Sequence, residues 1–162
     1  MTISIGETLP AGTLMKIGAN GPEPVALEQL TKGRKIVLFG LPGAFTGTCS
    51  TAHLPSFMRT AEAFKEKGVD EIICLSVNDP FVMDAWDKSH GASDAGVTML
   101  ADPVGELTVA LGLEFNAPAI GFVNRSRRYS AVIEDGVLKA LNEEEAPGTC
   151  EISAGETLLA QI

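Results

Sequence analysis

Cysteine is scarce in this chain of 162 residues, which holds only Cys49, Cys74 and Cys150. An odd, sparse count excludes the disulfide framework of a small secreted scaffold. No Cys-x-x-Cys occurs, because Ser50, Thr51 and Ala52 follow Cys49, so a dithiol redox motif and the usual zinc pairs are excluded too. Basic residues are also few, 12 against 21 acidic ones, for a net charge of −9. An acidic chain repels phosphate backbones, which argues against nucleic acid as a partner. No apolar run approaches the ~18 residues of a membrane helix. The start, Met1 to Glu7, lacks the basic and apolar regions of a secretory signal, so the expected location is cytoplasmic.

What is present describes an ordinary globular chain, 45% hydrophobic and 20% charged. There are no repeats, low-complexity tracts or linkers, so one domain over residues 1–162 is expected. Lys35 to Gly40 reads as a buried strand, broken by Leu41-Pro42-Gly43. From Cys49 the period changes. Leu54, Phe57, Met58, Ala61 and Phe64 form a helical face that stops at Gly68, with a kink expected at Pro55. Glu71 to Val77 is a second strand, and Asn78-Asp79-Pro80 caps a helix running through Trp86. Val97 to Ala101 is a third strand, and Asp102-Pro103 repeats the cap before a helix ending near Gly112. Arg128 to Ile133 and Val137 to Leu141 flank Glu134-Asp135-Gly136, a hairpin signal. Ser153 to Glu156 reads as a capping box before a closing helix. This alternation predicts an α/β fold, a central mixed sheet of five or more strands flanked by helices.

Cys49 falls where a strand has ended and a helix begins. Unpaired backbone N–H groups and the macrodipole there favour the thiolate, the nucleophilic form. The bland alternative is a small buried residue, and spacing alone leaves both readings open. His53 lies one turn further on, so a Cys–His pair is conceivable, but a structural or capping histidine is the simpler reading. A metal site from Cys49, His53, His90 and one other cysteine fits no usual zinc spacing. Of Arg125, Arg127 and Arg128, the first two read as a solvated basic turn. Arg128 opens a strand, where one inward arginine could pair with a thiolate.

Pro42-Gly43-Ala44-Phe45-Thr46-Gly47-Thr48-Cys49-Ser50 followed by His53-Leu54-Pro55 resembles the active-site segment of the peroxiredoxin 5 (type II, atypical) subfamily of peroxiredoxins. Leu75 to Met83, Leu100-Ala101-Asp102, Arg128-Tyr129-Ser130 and Glu134 to Val137 extend the resemblance over essentially the whole chain. It implies a thioredoxin-like fold and a cofactor-free peroxidase for hydrogen peroxide and alkyl hydroperoxides. Cys49 matches the peroxidatic cysteine, Thr46, Pro42 and Arg128 the rest of the site, and Cys49 would pass through a sulfenic acid. The subfamily is typically homodimeric, and thioredoxin or glutathione and glutaredoxin would return the electrons. Gly47 departs from the proline common there, and Asn116 to Phe122 departs from the expected sequence, which leaves the preferred peroxide open.

Both Cys74 and Cys150 match positions given the resolving role in different members. Cys150 lies between Pro147-Gly148 and the last helix, in an expected loop, and is favoured over the strand residue Cys74. Direct attack by glutathione or glutaredoxin would need neither. The competing reading is a redox-sensing or chaperone-like protein on the same fold without fast turnover. A Cys–His hydrolase would instead require His53.

Overall fold

The computed structural model describes residues 1–162. A hairpin of β1 (Thr13–Gly18) and β2 (Gly21–Ala26) leads through α1 (Leu27–Thr31) to β3 (Lys35–Leu41). Then follow α2 (Leu54–Glu66), β4 (Glu71–Ser76), α3 (Pro80–His90), β5 (Val97–Ala101) and α4 (Glu106–Ala110). A second hairpin, β6 (Glu114–Ala117) and β7 (Phe122–Ser126), precedes β8 (Tyr129–Glu134), β9 (Val137–Glu143) and α5 (Gly155–Ala160). Seven strands form one sheet in the order β2-β1-β5-β4-β3-β8-β9. β3, β4 and β5 run parallel at its centre and the flanking strands are antiparallel, which is the mixed sheet expected.

The central strands are buried on both faces, so their side chains divide by strict alternation. Val37, Phe39 and Leu41 of β3 and Ile72 and Cys74 of β4 join α2, α3 and α5 in one core. Ile36, Leu38, Ile73 and Leu75 point the other way, into a second core with α1 and α4. The hairpin between β8 and β9 turns at Asp135 and Gly136, both at positive φ (49° and 77°), as its sequence requires. Asp79 caps α3 by accepting from the Val82 N–H at 2.9 Å, with Pro80 in the first turn. The helix runs on to His90, one turn beyond Trp86.

Three local expectations change. Pro55 is the second residue of α2 rather than an interior one. The irregularity comes earlier, as a π turn over Cys49–His53 closed by the Leu54 N–H on the Cys49 carbonyl. Pro103 does not start α4. Gly105, at φ 77°, occupies the cap, and the Asp102 carboxylate reaches across to the N–H groups of Leu107 (3.3 Å) and Thr108 (2.8 Å). The capping box of α5 does not form: Ala154 takes the cap position with no side-chain bond, the Ser153 hydroxyl donates to Glu144 (2.8 Å), and Ser56 Oγ accepts from the Gly155 N–H (2.9 Å). The β6–β7 hairpin, which encloses the segment Asn116 to Phe122, carried no strand signal; its strands are short and mostly half-buried.

Candidate active site

Leu41 ends β3 at the edge of the core, and the chain then turns through Pro42, Gly43, Ala44 and Phe45 before becoming helical. Phe45 takes a positive φ of 64°, and the Ala44 N–H donates to Asn78 Oδ1 at 3.0 Å. Thr46 closes the turn: its hydroxyl donates to the Gly43 carbonyl at 2.7 Å. Cys49 follows in the first helical turn, sealed from solvent. Ser50 beside it accepts from the Trp86 Nε1–H at 3.0 Å, tying this turn to α3.

Arg128 meets Cys49 from the opposite side. The residue immediately precedes β8, which pairs with β3, so sheet registry carries it beneath the helix that follows β3. Its Nη2 donates to Cys49 Sγ at 3.2 Å and to the Pro147 carbonyl at 2.9 Å, and its Nε to that same carbonyl at 3.2 Å. Its Nη1 donates to His53 Nδ1 at 3.1 Å. Arg128 is only 2% exposed, and none of the ion pairs in the structure involves it. A buried guanidinium without a carboxylate demands a negative partner. The sulfur of Cys49 lies within its reach.

His53 completes this arrangement. Since arginine only donates, Nδ1 must accept, and the ring proton sits on Nε2, which donates to the Ser153 carbonyl at 3.1 Å. Burial first and the Arg128 charge second lower its pKa to about 3, against the opposing pull of the Ser153 carbonyl. The ring is neutral and both nitrogens are engaged elsewhere, so His53 cannot act as a base toward Cys49. The Cys–His hydrolase arrangement is therefore not formed. Of the two simpler readings, the structural one holds and the capping one does not: buried His53 links Arg128 to Ser153 and its side chain caps no helix.

The other two cysteines differ sharply in setting. All three thiols are free. Cys74, opposite Phe39 on β3 and Met99 on β5, is fully buried in the same core as Cys49. Burial above all, then the neighbouring Cys49, pushes its thiol well up, with Arg128 opposing. Cys150 is half-buried in the segment between β9 and α5, and burial raises it against the Ser153 hydroxyl and Arg128. That segment is pinned to the site by Arg128 on Pro147, by Thr48 Oγ1 on the Gly148 carbonyl (2.9 Å) and by His53 on Ser153. Glu144 braces it from behind, accepting from the N–H groups of Glu151 (2.6 Å) and Ser153 (2.9 Å).

The basic turn divides as well. Arg127 is a surface residue paired with Glu143 at 2.6 Å. Arg125 is not merely solvated: its Nη1 donates to the Pro42 carbonyl at 3.0 Å. Nothing in the sequence pointed to this contact, which spans 83 positions. No group of three or more His, Cys, Asp or Glu side chains comes together to hold a metal.

The Redoxin family profile matches residues 4–159. Peroxiredoxin-2E-2, chloroplastic, of Oryza sativa subsp. japonica is 48% identical over 98% of this chain and 72% of its own length. A reduced Prx3 of Vibrio vulnificus in complex with hydrogen peroxide is 44% identical, with a TM-score of 0.93 over 99% of each chain. Peroxiredoxin 5 of Alvinella pompejana is 33% identical, with a TM-score of 0.84 over 98% of this chain and 96% of its own. With Redoxin covering nearly its whole length and relatives of this identity, the chain belongs to the peroxiredoxin family of thiol peroxidases, on a thioredoxin-like fold.

Proposed function

We propose that this protein reduces hydrogen peroxide and alkyl hydroperoxides through Cys49, as a member of the peroxiredoxin 5 (type II, atypical) branch. One observation carries this reading: a buried arginine without a carboxylate partner donates to Cys49 Sγ at 3.2 Å. The thiolate attacks one peroxide oxygen; an S–O bond forms, the O–O bond breaks, and the departing oxygen takes a proton to leave as water or an alcohol. Cys49 is then a sulfenic acid. Arg128, already charged and desolvated, stabilises negative charge building on the departing oxygen without reorganising. Thr46 has its hydroxyl hydrogen committed to Gly43, so its lone pairs face outward as acceptors for the peroxide proton. Pro42, buried at the end of β3, keeps water from the sulfur.

Cys150 resolves the sulfenic acid. Its thiol attacks Cys49, expelling water and forming a disulfide that thioredoxin, or glutathione with glutaredoxin, reduces. Sealed Cys49 and pinned Cys150 make this step depend on local unwinding of the first helical turn and of residues 147–153. Exposed Phe45, Phe81, Ile120 and Val123 support a homodimer that covers them.

Peroxide consumption with a recycling reductant tests the first step. Wild type turns over repeatedly and Cys49→Ser does not; equal consumption by both would overturn the reading. A single stoichiometric oxidation without turnover would favour a redox-sensing role. Peptide mapping after one equivalent of peroxide tests the second step, with Cys49–Cys150 the expected bridge. A Cys49–Cys74 bridge, or a glutathione adduct alone, would remove Cys150 from the mechanism.

A further inference from the structure

The β6–β7 hairpin reaches the active-site loop through one side chain. Arg125 extends from β7 with its guanidinium carbon 5.0 Å from the centre of the Phe122 ring, and its Nη1 bonds the Pro42 carbonyl at 3.0 Å. The same nitrogen fills the space beside Gly43: a Cβ built there would lie 2.5 Å from Arg125 Nη1 and 3.2 Å from Thr46 Cγ2. So Arg125, Gly43 and Thr46 share one small volume, and Gly43 is glycine because the guanidinium needs the room. The carbonyl held by Arg125 belongs to the Pro42–Gly43 peptide, and the next carbonyl, of Gly43, accepts the Thr46 hydroxyl. Rotation of the first peptide plane would carry the second with it and re-aim Thr46. Ala44 on Asn78 is the loop's other anchor, from the side of β4.

We propose that Arg125 is a positioning residue for peroxide reduction, clamping the Pro42–Gly43 peptide so that Thr46 presents its acceptor lone pairs to the substrate. This rests on Cys49 being the reacting thiol. Arg125 acts through the loop and makes no hydrogen bond to Cys49, so it governs reaction with peroxide but not the charge of the sulfur.

The test is stopped-flow oxidation of the reduced protein by hydrogen peroxide, followed by the fluorescence of Trp86, the sole tryptophan, which bonds the residue next to Cys49. Arg125→Met keeps the stem over Phe122 and removes the donor; its rate constant is expected to fall about tenfold through lost orientation. Arg125→Lys, which retains a charged donor, recovers most of that loss. Alkylation of Cys49 by iodoacetamide across pH makes no use of Thr46, and its midpoint stays at the wild-type value in both variants. Gly43→Ala, whose Cβ displaces the guanidinium, slows peroxide oxidation similarly, and adds little when combined with Arg125→Met. A peroxide rate for Arg125→Met within roughly twofold of wild type overturns the proposal. So does an alkylation midpoint that moves with the rate, or full additivity with Gly43→Ala. Oxidation of Cys49→Ser at the wild-type rate would instead remove the reading of Cys49 itself, whatever Arg125 does.

Discussion

Arg128 and His53 form one electrostatic unit, with consequences for pH as well as for chemistry. The guanidinium serves three acceptors at once, Cys49 Sγ, His53 Nδ1 and the Pro147 carbonyl, and it can do so only while His53 stays neutral. Protonating His53 would set an imidazolium against a buried arginine, which is why its pKa falls from 6.5 to about 3, after the larger effect of burial. Below pH 6.5 the unfolded chain gains a proton at this residue that the folded chain refuses, down to about pH 3. Stability from this residue is therefore complete above pH 6.5 and is lost on acidification, with a slope approaching about 1.4 kcal/mol per pH unit. Urea unfolding of wild type and His53→Asn across this range checks it. The variant is less stable at neutral pH but shows the shallower acid slope; parallel slopes would mean that His53 titrates normally.

At the scale of elements, residues 144–153 are tied down by polar contacts rather than by apolar packing. Glu144 is the centre of this clasp. Burial acts to raise its pKa, but donors from Ser153, Glu151 and Thr149 outweigh burial and hold it below the usual carboxylate value. Its grip is thus complete at neutral pH and loosens as pH falls through that lowered value. Glu144→Gln replaces an oxygen acceptor with an amide donor facing other donors. We expect faster amide exchange at Glu151 and Ser153, and Cys49–Cys150 disulfide formation sped by several-fold, about threefold to tenfold, because opening precedes bonding. Unchanged exchange at both amides would show that Arg128, Thr48 and His53 hold the loop without it. The π turn at Cys49–His53 belongs to the same scale: a widened turn sets Cys49 ahead of the regular helix α2.

For the whole molecule, the sheet is what brings the two halves of the site together. β3 delivers the Pro42–Cys49 segment and antiparallel β8 delivers Arg128, so their register must be held. Gly40 lies opposite Tyr129 in that register, and a Cβ at Gly40 would come within 2.2 Å of Tyr129 Cε1. Tyr129 is fully buried, with burial raising its pKa beyond the ordinary phenol range, so its ring has no route to solvent. Gly40→Ala is expected to cost about 1–3 kcal/mol by overpacking. It should also slow peroxide oxidation by displacing Arg128. A denaturation midpoint equal to wild type would mean that the β3–β8 interface yields more easily than its packing indicates.

Legible along the chain are the alternation of strands and helices, the Asp79-Pro80 cap, the Asp135-Gly136 turn and the place of Cys49 at a strand-to-helix junction. These are local: apolar periodicity, proline without an N–H, and residues that accept positive φ act over a few neighbours in the chain. The motif around Cys49 singled out Pro42, Thr46 and Cys49, and the segment Arg128-Tyr129-Ser130 added Arg128. Tertiary structure alone decided the contacts among distant residues: Arg125 on Pro42, His53 between Arg128 and Ser153, and Glu144 on Ser153. The last holds Ser153 at Glu144 while Ser56 takes the Gly155 N–H at the start of α5. Such contacts depend on which side chains the sheet order juxtaposes, and no pattern within one segment carries that order.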